Sequence, residues 1–228
     1  MECIYLTELS KNSQIIKITA DEARHLRALR IKDNEHILIT NGSGLICKAS
    51  VIREKKDEYV AQIINFLDEN YGELSRELAL GVGILQDRER FEMILEKSVE
   101  LGVSHFFPLI TDYSQKKSLN SSRLQAKAVS AMKQCKRSRL PKIYEPLSLQ
   151  EISMFQFEKI ILSDENGEKP NLPQLCKSVL LLVGPEGGFS QREIEYLNKL
   201  NIEKWKLGNR RLRTETAAIS GLSLLSIF

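Results

Sequence analysis

The strongest constraint on the fold is the apolar run Val-Leu-Leu-Leu-Val at residues 179–183, which leads directly into the glycine-rich segment 184–188. An apolar run of this length bounded by glycine predicts a strand buried on both faces. The glycines let a ligand approach the backbone closely, because they carry no Cβ. A second such segment, 207–216, follows a short apolar stretch and leads into an apolar, helix-like tail. Two strand–loop units packed side by side predict a ligand pocket at the strand ends.

The glycine loops match neither common nucleotide-binding motif. Residues 184–188 lack the GxGxxG spacing of a dinucleotide site and the GK[ST] ending of a phosphate loop. The first loop alone is explained equally well as an ordinary strand-to-helix turn. Two loops rich in glycine and charge, at the ends of adjacent strands, favour a binding site.

Composition limits the class of protein. A chain of 228 residues, 42% hydrophobic and 28% charged, can form one large or two small domains with a real core. Its four cysteines include no CxxC pair and its three histidines are scattered, so we expect neither disulfides nor a metal site. The first residues do not resemble a signal peptide, and no apolar run approaches the roughly 20 residues that span a bilayer. We therefore expect a cytoplasmic protein without a membrane partner.

The sequence pattern changes near residue 70. Short apolar segments with an Asn-Gly turn, interrupted by one helix, predict a small β-barrel-like module in the first seventy residues. From Leu78 onward, predicted strands and helices alternate, which indicates an α/β domain with a largely parallel sheet. We predict strands at 37–40, 45–52, 59–64, 78–82, 104–110, 159–162 and 179–183. We predict helices at 20–29, 90–101, 122–139, 190–200 and 214–228, the fourth of them opened by a Ser190–Glu193 capping box.

A basic block lies between residues 113 and 144, where nine lysines and arginines occur without a single acid. Such a block creates a positive field that attracts phosphates, although a solvated helix face is the alternative. We take Lys116, Lys133 and Arg137 as candidate RNA contacts.

The predicted first helix carries Arg24, Arg27 and Arg30 at three-residue spacing, which places them on roughly one face. An exposed charged face explains this equally well. Together with the basic block, the three arginines favour a polyanionic partner.

The second glycine loop contains Arg210, Arg211 and Arg213, followed by Glu215. Arginine holds phosphate or a base edge through paired hydrogen bonds, and a nearby glutamate can orient it or accept a proton. Helix chemistry is an equal alternative, in which Thr214 caps the last helix and Glu215 interacts with its dipole.

These loops resemble those of the ribosomal RNA small-subunit methyltransferase E (RsmE) family of the SPOUT superfamily. Further similarity lies at 24–30, 96–103, 131–134 and 163–167, so the resemblance covers nearly the whole chain in order. It implies a PUA-like RNA-binding β-barrel at 1–70 and a SPOUT α/β domain with a C-terminal trefoil knot at 74–228. It also implies a homodimer that methylates N3 of a uridine in 16S rRNA, with S-adenosylmethionine (SAM) as the donor.

The resemblance also implies roles for individual residues. The SAM-binding residues would be Leu162, Gly184, Glu186, Gly187, Leu207, Gly208, Leu212 and Arg213. Arg213 would stabilise the uracil anion, with Arg211 as the second candidate and Glu215 as an orienting group or base. The chain departs from the family at Tyr113, where an arginine is usual, and near Gln86, where a lysine is common; both positions concern RNA contacts.

Two other functions remain open from the sequence. A non-catalytic RNA-binding or ribosome-assembly factor of the same fold would keep both basic patches but would not require the glycine loop. A nucleotide-dependent phosphotransferase is disfavoured, because the loop has no lysine for phosphate.

Overall fold

The computed structural model describes residues 1–171 and 176–227, and the chain divides into two compact units. The first unit comprises Met1–Glu73 together with Val129–Leu140. The second unit comprises the rest of the described chain. The first unit thus includes a segment more than fifty residues downstream of its main part, beyond the 1–70 range expected from the sequence.

The first unit is built on a five-stranded sheet. Its elements are β1 (Cys3–Tyr5), β2 (Ile15–Ile18), α1 (Ala20–Ala28), β3 (Glu35–Thr40), β4 (Ile46–Lys55) and β5 (Glu58–Phe66). The strand order in the sheet is β1-β3-β4-β5-β2. β1 and β3 pair in parallel, and the other neighbours are antiparallel. The predicted Asn-Gly turn joins β3 to β4, where the Asn41 side chain accepts hydrogen bonds from the N–H groups of Ser43 and Leu45.

The second unit is built on a six-stranded sheet. Its strands are β6 (Glu77–Gly83), β7 (His105–Leu109), β8 (Lys142–Ile143), β9 (Lys159–Glu168), β10 (Ser178–Val183) and β11 (Glu203–Trp205). The strand order in the sheet is β11-β9-β10-β6-β7-β8. Its helices are α2 (Arg88–Glu100), α4 (Leu149–Ile152), α5 (Gln191–Leu197) and α6 (Thr214–Ser226). Helix α3 (Ser121–Cys135) begins in the second unit, and its residues from Val129 onward belong to the first. Every neighbouring pair of these strands is parallel, which confirms the parallel sheet predicted from the alternating pattern.

After Ser178, every residue of β10 is apolar, because both faces of the sheet are covered. Leu180 and Leu182 belong to a buried cluster that also contains Leu149 of α4 and Leu197 of α5. Leu181 points to the opposite face, since side chains alternate along a strand. There it meets α6 at Gly221, where an added Cβ would lie only 2.7 Å from the Leu181 side chain.

Several helix ends differ from the predicted ones. α2 begins two residues before the predicted start, because the Asp87 side chain caps it by accepting hydrogen bonds from the N–H groups of Glu89 and Arg90. α3 ends at Cys135 rather than at the predicted residue 139, because Lys136 adopts a left-handed backbone with φ of 59°. The capping box formed by Ser190 and Glu193 is confirmed. α6 ends at Ser226, and the predicted last helical position, 228, lies outside the described residues.

Candidate active site

A cleft of about 920 Å³ lies in the second unit at the carboxyl ends of β9, β10 and β11. The three strands are parallel and in register, with Leu162 of β9 opposite both Leu182 and Lys204, so their ends meet at one edge of the sheet. The sequence predicted that the two strands followed by glycine loops are adjacent. That prediction is wrong, because β9 lies between β10 and β11. The cleft has the size of a small-molecule or cofactor site.

The two glycine loops and an excursion of β9 form the cleft. Lys204 of β11 pairs with Leu162, but the next residue, Trp205, pairs with Glu168, so residues 163–167 loop out of the ladder. Gly167 permits this excursion, since an added Cβ would lie 2.6 Å from the Lys204 carbonyl oxygen. The predicted glycine loops at 184–188 and 207–213 supply the other walls.

The glycines of the cleft occupy their positions for different structural reasons. An added Cβ on Gly184 would lie 2.9 Å from the backbone of Gly188, which itself has φ of 72°, so the first loop needs glycine to turn tightly. Gly187 packs against Tyr113, and an added Cβ on Gly187 would lie 2.9 Å from the Tyr113 side chain. A Cβ on Gly208 would meet the Leu212 side chain at an ordinary 3.6 Å. Packing of the chain therefore does not require glycine at 208, whereas close approach of a ligand would.

Thr214 connects the two glycine loops. Its hydroxyl donates a hydrogen bond to the carbonyl oxygen of Gly184 across 3.0 Å. The sequence interpretation in which Thr214 caps α6 is wrong, because Arg213 occupies the N-cap position and makes no side-chain cap hydrogen bond. The threonine joins the start of α6 to the loop after β10.

Arg90 forms part of the cleft wall, and no sequence pattern indicated it. Its guanidinium donates from Nε and NH2 to the two carboxylate oxygens of Glu215, at 3.0 and 2.6 Å. NH1 of Arg90 lies 3.6 Å from the carboxylate of Glu186. The partner Glu215 lies 125 residues away along the chain, so no local spacing could have revealed the pair.

Glu215 is ionised in this arrangement. Burial acts to raise the pKa of its carboxyl group, but hydrogen bonds from Arg90 and from the backbone hold the net pKa below its ordinary value. A buried, ionised carboxylate that holds a guanidinium suits an orienting role better than that of a proton acceptor.

The residues singled out for SAM all line the cleft: Leu162, Gly184, Glu186, Gly187, Leu207, Gly208, Leu212 and Arg213. Arg211 also lines it, whereas Glu215 lies behind Arg90. The side chains of Arg211 and Arg213 are exposed and make no hydrogen bond or ion pair with the part of the chain that the structure describes. Their charges are therefore available to a ligand.

The basic block is far less positive than its sequence predicts. Acids from other segments pair with four of its cations: Arg123 with Glu92, Lys127 with Glu96, Lys133 with Glu22, and Arg137 with Glu73. The absence of acids within the block therefore did not mean absence of ion pairs, because tertiary contacts supply them.

Two candidate RNA contacts are corrected by this pairing. Arg137 is only 3% exposed, and its guanidinium is held by Glu73. The Lys133 side chain is 17% exposed, and its ammonium group donates to both carboxylate oxygens of Glu22. Neither group presents the free charge that a phosphate contact needs. Lys116 is exposed and donates to the Gln86 carbonyl oxygen across 2.5 Å.

The three arginines near α1 differ in their surroundings. Arg24 is exposed and pairs with Asp21 in the same helix, and Arg27 pairs with Asp57 at 2.5 Å. Arg30 follows α1 in a left-handed conformation with φ of 56°, and its side chain is exposed. Arg30 makes no ion pair with the residues that the structure describes, unlike Arg24 and Arg27.

The described residues contain neither a metal-ion site nor a membrane-spanning helix. Across residues 1–171 and 176–227, no group of three or more His, Cys, Asp or Glu side chains is placed to hold a metal ion. Within those same residues, no helix has the length and apolar character needed to cross a bilayer.

Known proteins match the chain along its length. A family model described as an RNA methyltransferase domain matches residues 72–226, and one described as an RNA methyltransferase PUA domain matches residues 18–64. Ribosomal RNA small subunit methyltransferase E of Aquifex aeolicus is 32% identical over 100% of both chains. The Bacillus subtilis protein of the same name is 28% identical over 97% of this chain and 95% of its own.

Solved structures agree with these matches. Ribosomal RNA small subunit methyltransferase E from Neisseria gonorrhoeae, bound to SAM, superposes with a TM-score of 0.90 at 27% identity and covers 100% of this chain and 97% of its own. A Legionella pneumophila protein in complex with the bound cofactor SAM gives a TM-score of 0.84 at 30% identity, covering 99% and 96%. The chain therefore belongs to the ribosomal RNA small subunit methyltransferase E family.

Proposed function

We propose that the chain methylates N3 of a uridine in 16S rRNA, using SAM as the donor and forming 3-methyluridine. The observation that carries this proposal is the cleft at the ends of β9, β10 and β11, lined by both glycine loops. Family membership supports it, since the relative from Neisseria gonorrhoeae is a small-subunit rRNA methyltransferase bound to SAM.

The residues of the cleft fit SAM. The protein itself leaves room for a side chain at position 208. A glycine at such a position is expected where a cofactor lies against the backbone. Leu162, Leu207 and Leu212 supply apolar surface beside polar backbone groups of the loops, the mixed lining that a cofactor site requires. Glu186 adds a carboxylate within the same lining, complementary to a cationic ligand.

Bound SAM would supply an electrophilic methyl group, so the chain itself has to align the base and stabilise charge. Uracil N3 must first lose its proton to solvent, which leaves negative charge on O2 and O4. N3 would then form its bond to the methyl carbon as the bond from that carbon to the sulfonium sulfur breaks, and the sulfur would leave as a neutral thioether. We assign stabilisation of this charge to Arg213, with Arg211 as the second candidate, because both are exposed in the cleft and make no hydrogen bond or ion pair with the described residues. Glu215 would orient the site through Arg90. Positioning of this kind contributes up to about 7–11 kcal/mol.

We further propose that residues 1–70 form a PUA-like RNA-binding module and that residues 74–228 form a SPOUT domain with a trefoil knot and a dimer interface. The path of the chain supports the knot: it reaches the sheet edge at β11, then returns through residues 206–213 to α6, which packs on β10 and β6. We keep Arg24, Arg27, Arg30 and Lys116 as proposed RNA contacts. A protein that acts on 16S rRNA works where ribosomes are assembled, so we propose that this protein is cytoplasmic. We also propose that it is a homodimer, as the resemblance to the family implies.

Incubation with SAM and unmodified small-subunit rRNA, followed by nucleoside mass spectrometry, tests the reaction. We expect 3-methyluridine, and we expect Arg213→Ala to abolish its formation while the melting temperature stays unchanged. Appearance of 2′-O-methyl nucleosides instead would overturn the N3 assignment. Absence of SAM binding at millimolar concentration in calorimetry would favour a non-catalytic RNA-binding factor.

A further inference from the structure

Arg90 lies between two carboxylates that come from different walls of the cleft. Glu215 belongs to the first turn of α6, directly after the second glycine loop, and Glu186 belongs to the first glycine loop. Arg90 itself belongs to the first turn of α2. Through this guanidinium, α2 contacts two other segments, and all three must keep a fixed geometry if they form one binding site.

The two contacts of Arg90 are unequal. Glu215 is buried and receives two hydrogen bonds from Nε and NH2, the fork geometry in which arginine binds a carboxylate most strongly. Glu186 has a side chain that is 40% exposed, and its carboxylate lies 3.6 Å from NH1. The contact with Glu215 therefore fixes the guanidinium in place, and the contact with Glu186 is a weaker one to the first glycine loop.

We propose that Arg90 is a positioning residue for SAM, anchored on Glu215 and acting through Glu186 to hold the loop at 184–189 in its binding conformation. This inference rests on the proposed function, because it concerns the same cleft. Arg90 need not touch the reacting atoms, and Glu215 serves as its fixed support.

The substitution Arg90→Lys keeps the positive charge but removes the fork. A lysine ammonium that stays with Glu215 cannot also reach Glu186 in the same geometry. Because a partly exposed ion pair such as Arg90–Glu186 changes binding by only a few-fold, we expect the Kd for SAM to rise about three- to fivefold in calorimetry. In turnover with rRNA, the KM for SAM should rise similarly while kcat at saturating SAM changes much less.

A double-mutant cycle with Glu186→Gln separates positioning from simple structural support. If Arg90 acts through Glu186, both substitutions remove the same contact. The Kd for SAM of the double variant should then be no higher than that of the single variant with the higher Kd. If their effects on the Kd multiply instead, Arg90 does not act through Glu186, and the proposal is overturned.

Charge reversal supplies a second variant should Arg90→Lys destabilise the fold. The double change Arg90→Glu with Glu215→Arg restores an ion pair between these positions but places a carboxylate beside Glu186. We expect it to recover the melting temperature lost in Arg90→Glu without recovering SAM affinity. Recovery of both would show that the pair has only a structural role.

Arg123→Lys is the matched control, because Arg123 also forms a two-pronged pair with a buried glutamate of α2, Glu92, but does not line the cleft. Its Kd for SAM should equal that of the unmodified protein. If the unmodified protein fails to bind SAM, the proposed function and this inference both fall. If it binds SAM and Arg90→Lys binds equally well, only the role of Arg90 is overturned.

Discussion

The hydroxyl of Thr214 donates a hydrogen bond to the carbonyl oxygen of Gly184 across 3.0 Å, joining positions thirty residues apart. Thr214 is the first residue of α6, and Gly184 is the first residue after β10. The two glycine loops that line the cleft are therefore joined where the second loop ends and the first begins. A change in this bond should affect both loops together.

Thr214→Val removes the hydroxyl and keeps the shape of the side chain. The carbonyl of Gly184 then loses a buried partner, which costs about 1 kcal/mol of unfolding free energy. Because the loops lose their connection, we also expect the Kd for SAM to rise several-fold. Denaturant unfolding and calorimetry measure the two effects.

Thr40→Val is the control for that experiment. Thr40 is fully buried in the first unit, and its hydroxyl lies 3.2 Å from the carbonyl oxygens of Leu45 and Ser138, to either of which it can donate its proton. Its replacement should lower stability without changing SAM affinity. Equal loss of SAM affinity in both variants would show that the Thr214 bond has no specific role in the cleft.

Gly184 and Gly208 should respond differently to alanine. At Gly184 the new Cβ meets backbone at 2.9 Å, so the loop must shift, and we expect a loss of about 1–3 kcal/mol in unfolding free energy. At Gly208 the Cβ meets only the Leu212 side chain at 3.6 Å, so stability should change by less than about 0.5 kcal/mol.

The effect on SAM binding completes this comparison. Gly208→Ala places a methyl group where the cofactor is proposed to lie against the backbone, so its Kd for SAM should rise at least about tenfold, equivalent to 1.4 kcal/mol. Unchanged affinity in a stable Gly208→Ala protein would remove Gly208 from the proposed cofactor surface.

Local patterns predicted the second unit well. The apolar run of β10, the parallel sheet and the Ser190–Glu193 capping box all follow from short-range rules. The position of β9 between β10 and β11 did not, because strand order depends on long-range pairing. The excursion at 163–167 was equally hidden, since it arises from a register shift against β11.

The candidate site shows the same division. The loop residues could be identified from the sequence because glycine and arginine mark them directly. Arg90 could not, because its role depends on Glu215, far away in the chain. The positive charge of the basic block was overestimated for a related reason. Its partners Glu22 and Glu73 come from distant segments, and a count of charges along the block does not include them.

Stability should fall on mild acidification because of His105. Its ring is stacked on Phe107, with Nε2 at 2.8 Å from Glu77 and Nδ1 at 2.9 Å from the Tyr144 hydroxyl. Burial lowers the pKa of His105 and outweighs the opposing effect of Glu77. The unfolded chain, with a pKa near 6.5, therefore binds more protons than the folded one below that pH, and unfolding free energy decreases as pH falls through this range.

Melting temperatures at pH 7.5 and 5.5 measure this effect. His105→Gln should flatten the dependence over that interval, whereas the same substitution at His36, which is exposed on β3, should leave it as in the unmodified protein. An unmodified protein that becomes more stable on acidification over this range would contradict the prediction.

Arg137 and Arg30, both cations of the first unit, should separate stability from RNA binding. Arg137→Ala leaves the buried carboxylate of Glu73 without its main partner, so we expect a loss of about 3–5 kcal/mol in unfolding free energy.

Arg30→Ala removes an exposed side chain and should leave stability unchanged. Its RNA affinity should fall, and the slope of log K against log salt should become shallower by about 0.7–0.9, the value for one phosphate contact. Titration of fluorescent rRNA fragments at several salt concentrations measures that slope, and an unaltered slope in Arg30→Ala would exclude Arg30 from the RNA surface.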